Sequence, residues 1–369
     1  MKTLTSEKTE SKQEERNKLR PILIAGPCSA ENPEMIMQVA RSLKDLPLSY
    51  LRAGIWKPRT RPNQFEGVGS KGLPWLQEAK KAYGVKIATE VANLKHVYES
   101  LKHNVDMVWI GARTTSNPFA VQEIAEALKG VNIQVWVKNP LNPDLNLWMG
   151  ALERFEKAGV KELGAIHRGF SIYGNHQYRN PPNWQIPIDL KREAPGLPVI
   201  VDPSHIGGKS GYIKEISQMA MDLAFNGLMI EVHPSPEEAL SDASQQITPS
   251  RFKNLIRELR YPDNRSNDAQ VQLSLNSLRN EIDSIDNQVI SLFETRMKIA
   301  KDIGRYKQEN NITILQNTRW ESVIKRVVDL GMHKSLSKKF TERIFKAVHQ
   351  ESIRHQADII QTQKNSRRS

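Results

Sequence analysis

The stretch Ile22-Leu23-Ile24-Ala25-Gly26-Pro27-Cys28-Ser29 decides the fold, because a short apolar run ends directly in small and polar residues. Six further apolar runs in the first two-thirds of the chain end in the same way, at Arg52, Gly111, Lys138, His167, Asp202 and Glu231. An eighth run spans residues 86–91. Short apolar runs that alternate with helical patterns are typical of α/β proteins. Eight such units in succession predict a closed (β/α)8 TIM barrel.

The segments between the runs have the apolar spacing of amphipathic helices. These segments are residues 33–43, 73–83, 94–102, 119–128, 147–158 and 212–225. No glycine-rich phosphate loop of the dinucleotide or Walker type occurs in the sequence. Because the parallel strands of a barrel point their carboxyl ends at one mouth, the polar residues that follow the runs should meet there. The sequence therefore predicts one site in a barrel of residues 21–260.

The sequence changes character after residue 260. Residues 261–268 are polar and rich in turn-forming types, so we predict a linker at 261–270. From residue 271 onward apolar residues recur at helical spacing. A long helix to about residue 308, a second helix from a capping box at Thr318 and Glu321, and a third over about 337–360 are expected. Helices of such unequal length enclose a poor core alone, so this all-α three-helix domain, residues 271–361, is predicted to dimerise. A flexible tail, 362–369, should follow.

Composition narrows the class of protein. The 369 residues are 38% hydrophobic and 25% charged, which is typical of a soluble globular protein with two domains. The single cysteine excludes an intrachain disulfide framework, and no apolar stretch of the sequence is long enough to span a membrane. Residues 1–20 lack the apolar core of a secretion signal, so we predict a disordered N-terminal arm and a cytoplasmic enzyme.

The net charge of +12 has two interpretations. A basic chain can bind nucleic acid, but this sequence has no basic run with interleaved aromatic residues. Attraction of small anionic substrates explains the charge equally well. We therefore predict small-molecule partners and no nucleic acid.

Four residues are of the types that bind divalent metal ions: Cys28, His205, Glu231 and Asp242. A thiolate, an imidazole and two carboxylates favour a transition metal over Mg or Ca, with Mn²⁺ as the first choice and Fe, Co or Zn as alternatives. The alternative for a lone cysteine is a small buried hydrophobe. Three of the four residues follow predicted strands at the same mouth, and this shared position favours the metal site.

Six basic side chains are predicted at the same mouth: Arg52, Lys57, Arg59, Arg113, Lys138 and Arg168. Each of them alone would be interpreted as a solvated surface charge. Together they suit bound anions, because Arg and Lys pair with phosphate and carboxylate groups. The sequence therefore predicts a substrate that carries both groups, with room for a second phosphate.

These motifs resemble those of the 3-deoxy-D-arabino-heptulosonate-7-phosphate (DAHP) synthases over about residues 20–260. They are Gly26-Pro27-Cys28-Ser29, Lys57-Pro58-Arg59-Thr60, Gly111-Ala112-Arg113, Lys138-Asn139-Pro140 and Asp202-Pro203-Ser204-His205. The resemblance implies a metal bound by Cys28, His205, Glu231 and Asp242. It implies that phosphoenolpyruvate is bound by Arg52, Lys57, Arg113, Lys138 and Arg168, among which Lys57 and Lys138 are catalytic. The phosphate of erythrose 4-phosphate is then bound by Arg59 and Thr60.

This family resemblance implies a metal-assisted, aldol-type condensation of phosphoenolpyruvate with erythrose 4-phosphate, the first step of the shikimate pathway. A sister family, the 3-deoxy-D-manno-octulosonate-8-phosphate synthases, shares the barrel and phosphoenolpyruvate. Its members carry Asn-Arg and serines after the equivalent lysine, so the Pro58-Arg59-Thr60 sequence favours the four-carbon aldose. His167 stands where many DAHP synthases carry Glu.

Residues 272–360 resemble the all-helical chorismate mutases. The matching features are the opening motif 278–286, Gly304-Arg305-Tyr306-Lys307, and Glu351-Ser352 followed by Gln356. The resemblance implies rearrangement of chorismate to prephenate, a unimolecular step that depends on positioning and charge stabilisation. The implied catalytic residues are Arg279, Arg296, Lys307 and Gln356, and the implied substrate-binding residues are Arg319 and Ser352.

In this family the arginine of the opening motif reaches a partner's site, so Arg279 is expected to serve the second protomer of a dimer. Gln316 and Trp320 stand where some members place Asp and Glu near the substrate hydroxyl. Two interpretations of the domain follow: an active mutase in a bifunctional chain, or a module that only dimerises and senses pathway products. The matched polar residues favour the first. We also expect prephenate or chorismate to inhibit the synthase through this domain.

Overall fold

The computed structural model describes residues 21–57, 63–262 and 269–366, with side chains over 270–359 in the last range. Arg59, Thr60, the predicted N-terminal arm and most of the predicted linker lie outside the described residues. The chain divides into two compact units between Asn264 and Arg265. The exact domain boundaries given above stay predictions.

Within the described part of the first unit, eight parallel strands form a closed barrel in which each strand pairs with the next and the last pairs with the first. The strands are β1 (Ile22–Gly26), β2 (Tyr50–Arg52), β3 (Ile87–Val91), β4 (Met107–Ile110), β5 (Gln134–Lys138), β6 (Leu163–His167), β7 (Val199–Val201) and β8 (Gly227–Glu231). The predicted (β/α)8 barrel is therefore confirmed.

The helices of this unit surround the strands. They are α1 (Pro33–Leu43), α2 (Leu73–Tyr83), α3 (Leu94–Lys102), α4 (Ala112–Thr115), α5 (Pro118–Ala127), α6 (Leu145–Lys157), α7 (Gln185–Glu193), α8 (Pro203–Gly207), α9 (Ile213–Asp222) and α10 (Pro249–Glu258). The six predicted helices match α1, α2, α3, α5, α6 and α9 to within a few residues. The sequence pattern does not predict α4, α7, α8 or α10.

The interior of the barrel is filled with side chains. Two of the largest are Trp109 and Trp136, which lie in an inner cluster with residues from the other strands. Gly164 on β6 makes room for Trp136, since a Cβ at this glycine would lie 2.5 Å from the indole ring. The barrel is therefore a packed core rather than a pore, as is usual for this fold, and its chemistry belongs at the mouth.

The second unit is all-helical in its described residues, as predicted, with α11 (Ala269–Glu309), α12 (Asn317–His333) and α13 (Lys338–Ser366). The predicted capping box at Thr318 is wrong. The amide of Trp320 already bonds the Gln316 carbonyl (3.1 Å), so α12 starts earlier and Thr318 lies in its first turn. The last helix continues beyond residue 360 into the predicted tail. Across the described ranges, no helix combines the length and apolar character needed to cross a membrane.

Candidate active sites

The four predicted metal ligands lie in two close pairs at the carboxyl mouth of the barrel. The Sγ atom of Cys28 is 3.3 Å from Oδ2 of Asp242, and Nε2 of His205 is 3.8 Å from Oε1 of Glu231. Two ligand atoms bound to one ion at about 2.0–2.3 Å lie about 3.3–3.8 Å apart. Both pairs therefore have the spacing, and the donor types, that a transition metal requires.

The two pairs are neighbours but do not form one closed shell. Among the described residues, no group of three or more His, Cys, Asp or Glu side chains is gathered closely enough to count as a formed metal site. The pairs still act on each other electrostatically: burial opposes ionisation of Asp242, but the charges of His205 and Lys57 hold the pKa of this carboxyl well below its usual range. The donor types of the two pairs nevertheless fit a transition metal.

The Cys28 thiol is protonated in this arrangement. Burial raises its pKa to about 12, and the Glu231 carboxylate adds to the rise. The Lys57 ammonium opposes it, since Nζ lies 3.0 Å from Sγ. Metal ions bind the thiolate form of cysteine, so occupation of this site would release the thiol proton.

Asp202 orients two of the predicted site residues, although the sequence analysis gave it no role. Its Oδ1 accepts a hydrogen bond from the His205 amide (3.0 Å), and its Oδ2 lies 2.8 Å from Nδ1 of the same histidine. The Lys138 ammonium also donates to Oδ2, at 2.8 Å. Asp202 caps α8, and a carboxylate behind a ligating histidine fixes which ring nitrogen faces a metal. The place of Asp202 in the Asp-Pro-Ser-His motif is the sequence feature that could have indicated this role.

Arg52 is a fully buried cation with unused donors. Its Nη2 lies 3.2 Å from Oε1 of Glu231 and donates to the Cys28 carbonyl at 3.3 Å. Within the described part of the chain, its Nε and Nη1 atoms are buried without a hydrogen-bond partner. Buried donors are almost always paired in native proteins, so these two atoms mark a position for an anion.

Arg168 is a buried cation that lies near other guanidinium groups. Burial lowers its pKa to about 10; the charge of Asp202 opposes this fall, and the charges of Arg179 and Arg113 add to it. Its Nη1 donates to Oδ1 of Asn180 at 2.9 Å, which is an uncharged acceptor. A bound phosphate or carboxylate would relieve the repulsion among these guanidinium groups.

His167 is a core residue rather than part of this cation cluster. Its ring packs at 5.4 Å from that of Trp184 and 5.7 Å from that of Phe170. Burial lowers its pKa to about 3, so the imidazole is uncharged. At this position, the chain uses an aromatic packing residue where many DAHP synthases carry Glu.

Two consecutive buried glutamines bond the segments that contain the predicted ligands, and neither glutamine was predicted from the sequence. Gln245 donates from Nε2 to Oε2 of Glu231 at 2.7 Å. Gln246 accepts at Oε1 from the Cys28 amide at 3.0 Å. Arg179 binds this loop from the other side, through Oδ1 of Asp242 (3.0 Å) and Oε1 of Gln245 (2.9 Å). The two glutamines and Arg179 together therefore contact three of the four predicted ligands.

Replacing Gln245 by leucine should weaken metal binding without unfolding the barrel. The substitution removes the donor that orients Glu231, and loss of such an outer partner typically costs about 10–100-fold in metal affinity. Titration of the metal-free protein with Mn²⁺ measures this change. The matched control is Gln185→Leu, because Gln185 is exposed and its side chain bonds Asp189 in its own helix. Equal Mn²⁺ affinity in the Gln245→Leu variant and the control would contradict the role of Gln245.

The helical unit brings four of its six predicted residues to facing sides of α11 and α13. Nη1 of Arg296 donates to Oγ of Ser352 and to the Val348 carbonyl, and burial lowers the pKa of Arg296. Lys307 donates to the Ile314 carbonyl. Gln356 lies against Gly304, where a Cβ would be 3.1 Å from its Cα, so the helices approach closely there.

The other two predicted residues, Arg279 and Arg319, are exposed. Nη1 of Arg279 donates to Oδ1 of Asn276 on its own helix, at 3.3 Å. Arg319 lies in the first turn of α12. In the described residues, neither joins the hydrogen bonds that link Arg296, Ser352 and Val348.

Comparison with known proteins agrees with this architecture. Residues 6–262 match the DAHP synthetase I family. The phospho-2-dehydro-3-deoxyheptonate aldolase of Thermotoga maritima is 32% identical over 238 residues, which cover 64% of this chain and 68% of that protein. Its crystal structure superposes with a TM-score of 0.59 over 64% of this chain and 67% of that one. The 2-dehydro-3-deoxyphosphooctonate aldolase of Wolinella succinogenes is 30% identical over 64% of this chain and 97% of that protein.

The barrel, its cationic mouth and these relatives define a class of aldolase-like synthases, and this chain belongs to the DAHP synthetase I family. Residues 278–357 match the type II chorismate mutases. The chain is therefore a bifunctional enzyme of the shikimate pathway, with a DAHP synthase domain followed by a chorismate mutase domain.

Proposed function

We propose that the barrel condenses phosphoenolpyruvate with erythrose 4-phosphate to give DAHP and phosphate, and that it requires a divalent transition metal. This proposal rests on one observation: Arg52, Lys57 and Lys138 lie beside the thiol–carboxylate and imidazole–carboxylate pairs. Phosphoenolpyruvate carries a phosphate and a carboxylate, which are the anions that Arg and Lys recognise.

Cys28, His205, Glu231 and Asp242 would hold the metal, which when bound supplies a Lewis acid for the aldehyde oxygen. The chain's own residues position the reactants. Arg52 and Lys57, together with Lys138, Arg113 and Arg168, hold the carboxylate and phosphate of phosphoenolpyruvate. Arg59 and Thr60 hold the phosphate of the aldose.

This binding sets the methylene carbon of phosphoenolpyruvate against the aldehyde carbon. A carbon–carbon bond forms between them as the C=C and C=O π bonds break, and the aldehyde oxygen becomes a hydroxyl. Water supplies that proton and adds its oxygen to the carbon that bears the phosphate oxygen, after which the C–O bond to phosphate breaks and phosphate leaves. Asp202 holds Lys138 in place during these steps, through a buried contact of 2.8 Å. Two repelling anions are thereby held at reacting distance, which is catalysis by positioning.

A comparison of aldoses tests the proposed substrate, because the relatives include both heptonate and octonate aldolases. Phosphoenolpyruvate consumption should be measured with erythrose 4-phosphate and with arabinose 5-phosphate. We expect kcat/KM to be at least about 10-fold higher with the four-carbon aldose, because one extra carbon unit in a substrate usually changes kcat/KM by at least that factor. Equal rates, or a preference for the five-carbon aldose, would contradict the proposal.

We propose that the helical domain rearranges chorismate to prephenate at the groove between α11 and α13. Arg296 and Ser352 bind a carboxylate of chorismate, and Arg319 adds a further contact with the substrate. Lys307 and the Nε2 group of Gln356 donate to the ether oxygen as its bond breaks, where negative charge develops. The partly buried Arg296–Ser352 contact is the observation that supports this assignment.

We propose that a second copy of the chain covers the apolar face of α11. Leu278, Ile282, Ile285 and Leu292 are 56–68% exposed along this face, at the spacing of a helix–helix seam. In such a dimer Arg279 would serve the partner's site. Sedimentation should give a dimer for the intact chain and a monomer for Ile285→Glu, with Asn287→Glu as the control on the same helix. A monomeric intact chain would overturn this proposal.

We propose that prephenate or chorismate inhibits the synthase through the helical domain, because binding at one site of a chain can change the free energy of binding at another site. Synthase rates should fall when prephenate is added to the intact enzyme. Rates that do not change with either compound would contradict it. A cytoplasmic location and the lack of a nucleic-acid partner stay predictions.

A further inference from the structure

The groove of the helical unit holds an aromatic pair that the chemistry above does not use. Trp320 on α12 stacks face to face on His349 of α13, with ring centroids 3.8 Å apart and planes 10° from parallel. His349 precedes Ser352 and Gln356 by three and seven positions, so the three side chains share one face of α13. The imidazole therefore lies on the same helix face as two proposed substrate-contacting residues.

Two polar atoms on this face are buried and lack a partner among the described residues: Nε2 of His349 and Oε1 of Gln356. Native proteins pair nearly all such atoms, so each unpaired one requires an explanation. Both lie on the helix that Arg296 contacts through Ser352 and Val348. A polar ligand in the groove would supply the missing partners.

The charge of the imidazole limits what it can bind. Burial lowers the pKa of His349, and the nearby charges of Arg296 and Lys307 lower it further. An uncharged imidazole is a poor partner for a carboxylate beside two cations, but it exchanges hydrogen bonds readily with a hydroxyl, which can donate or accept. Chorismate has two carboxylates, an ether oxygen and one ring hydroxyl. The carboxylates suit the three arginines and Ser352, and the ether oxygen suits Lys307 and Gln356, which leaves the hydroxyl.

We propose that His349 contacts the substrate through a hydrogen bond between Nε2 and the ring hydroxyl of chorismate. Trp320 acts as a positioning residue, because its ring face restricts rotation of the imidazole and keeps Nε2 in the groove. This inference rests on the proposed mutase reaction.

The test compares two substrates, chorismate and its analogue without the ring hydroxyl, in the full-length enzyme. His349→Phe keeps a ring against Trp320 and removes both nitrogens. We expect kcat/KM for chorismate to fall by about 10–100-fold, whereas kcat/KM for the analogue changes by less than about 3-fold. His349→Gln restores a polar group near Nε2 and should recover part of the loss for chorismate only. The control is His355→Phe, since His355 pairs with Glu351 at 3.3 Å on the same helix.

Each outcome decides the proposal. A loss that is equal for both substrates would show that His349 only supports the fold, and an unchanged rate with chorismate would show that it does not contact the hydroxyl. Either result overturns the role of His349 and leaves the mutase reaction standing. If the unaltered enzyme does not convert chorismate at all, the proposed mutase function fails first and this inference fails with it.

Discussion

The Cys28→Ala variant should lose at least about 100-fold in synthase activity and keep full mutase activity. Loss of an outer partner of a ligand typically costs about 10–100-fold, and removal of a ligand itself should cost more. The thiol is fully buried and lies 3.3 Å from Asp242, so alanine at this position removes one donor atom from the predicted ligand set. Phosphoenolpyruvate consumption and chorismate loss are measured on the same purified sample.

The mutase rate of the same variant is its internal control, because a general folding defect would lower both activities. Thermal unfolding of Cys28→Ala should also stay close to that of the unaltered enzyme, since the change removes one small buried atom. Synthase turnover that survives in Cys28→Ala in metal-free buffer would contradict the assignment of Cys28 as a ligand.

Replacing Arg296 by alanine should have the opposite effect, with mutase activity reduced by about 100-fold and synthase activity unchanged. Arg296 is the cation of the groove that is already held in place by Ser352 and Val348. A hydrogen bond to a charged group contributes about 3 kcal/mol at most, and a loss of that size corresponds to about 100-fold in rate. Initial rates of chorismate loss at several concentrations give kcat/KM.

Two further variants show whether the guanidinium itself is needed. Arg296→Lys keeps the charge but not the planar fork, so it should recover only part of the activity. Arg305→Ala is the matched control, because Arg305 is exposed on the same helix and pairs with Asp302 at 2.7 Å. Near-normal chorismate turnover in Arg296→Ala would exclude Arg296 from the mutase site.

The barrel could be predicted from the sequence because strands that are buried on both faces consist of continuous apolar runs. Each of the eight runs became a strand, and six helices of the barrel were found. The pattern failed at α4, α7, α8 and α10. It also failed at Thr318, because suitable capping residues do not decide where a backbone turn begins.

Site residues could be predicted only where the type of a residue by itself indicates a chemical role, such as metal binding. Cys28, His205, Glu231 and Asp242 could be proposed from residue type and strand-end position. Their supports could not, because those contacts join distant parts of the chain: the amide of Cys28 is bound by Gln246, 218 positions away. The same holds for the Trp320–His349 stack, which is created by packing of α12 against α13.

The central claim is that strand-end side chains bind one divalent ion and two phosphorylated substrates at the barrel mouth. A paired assay on one sample of the intact chain tests it most directly, with phosphoenolpyruvate consumption and chorismate loss followed with and without EDTA. We predict that EDTA abolishes phosphoenolpyruvate consumption, that added Mn²⁺ restores it, and that chorismate loss continues throughout. Undiminished phosphoenolpyruvate consumption after complete removal of metal would contradict the account.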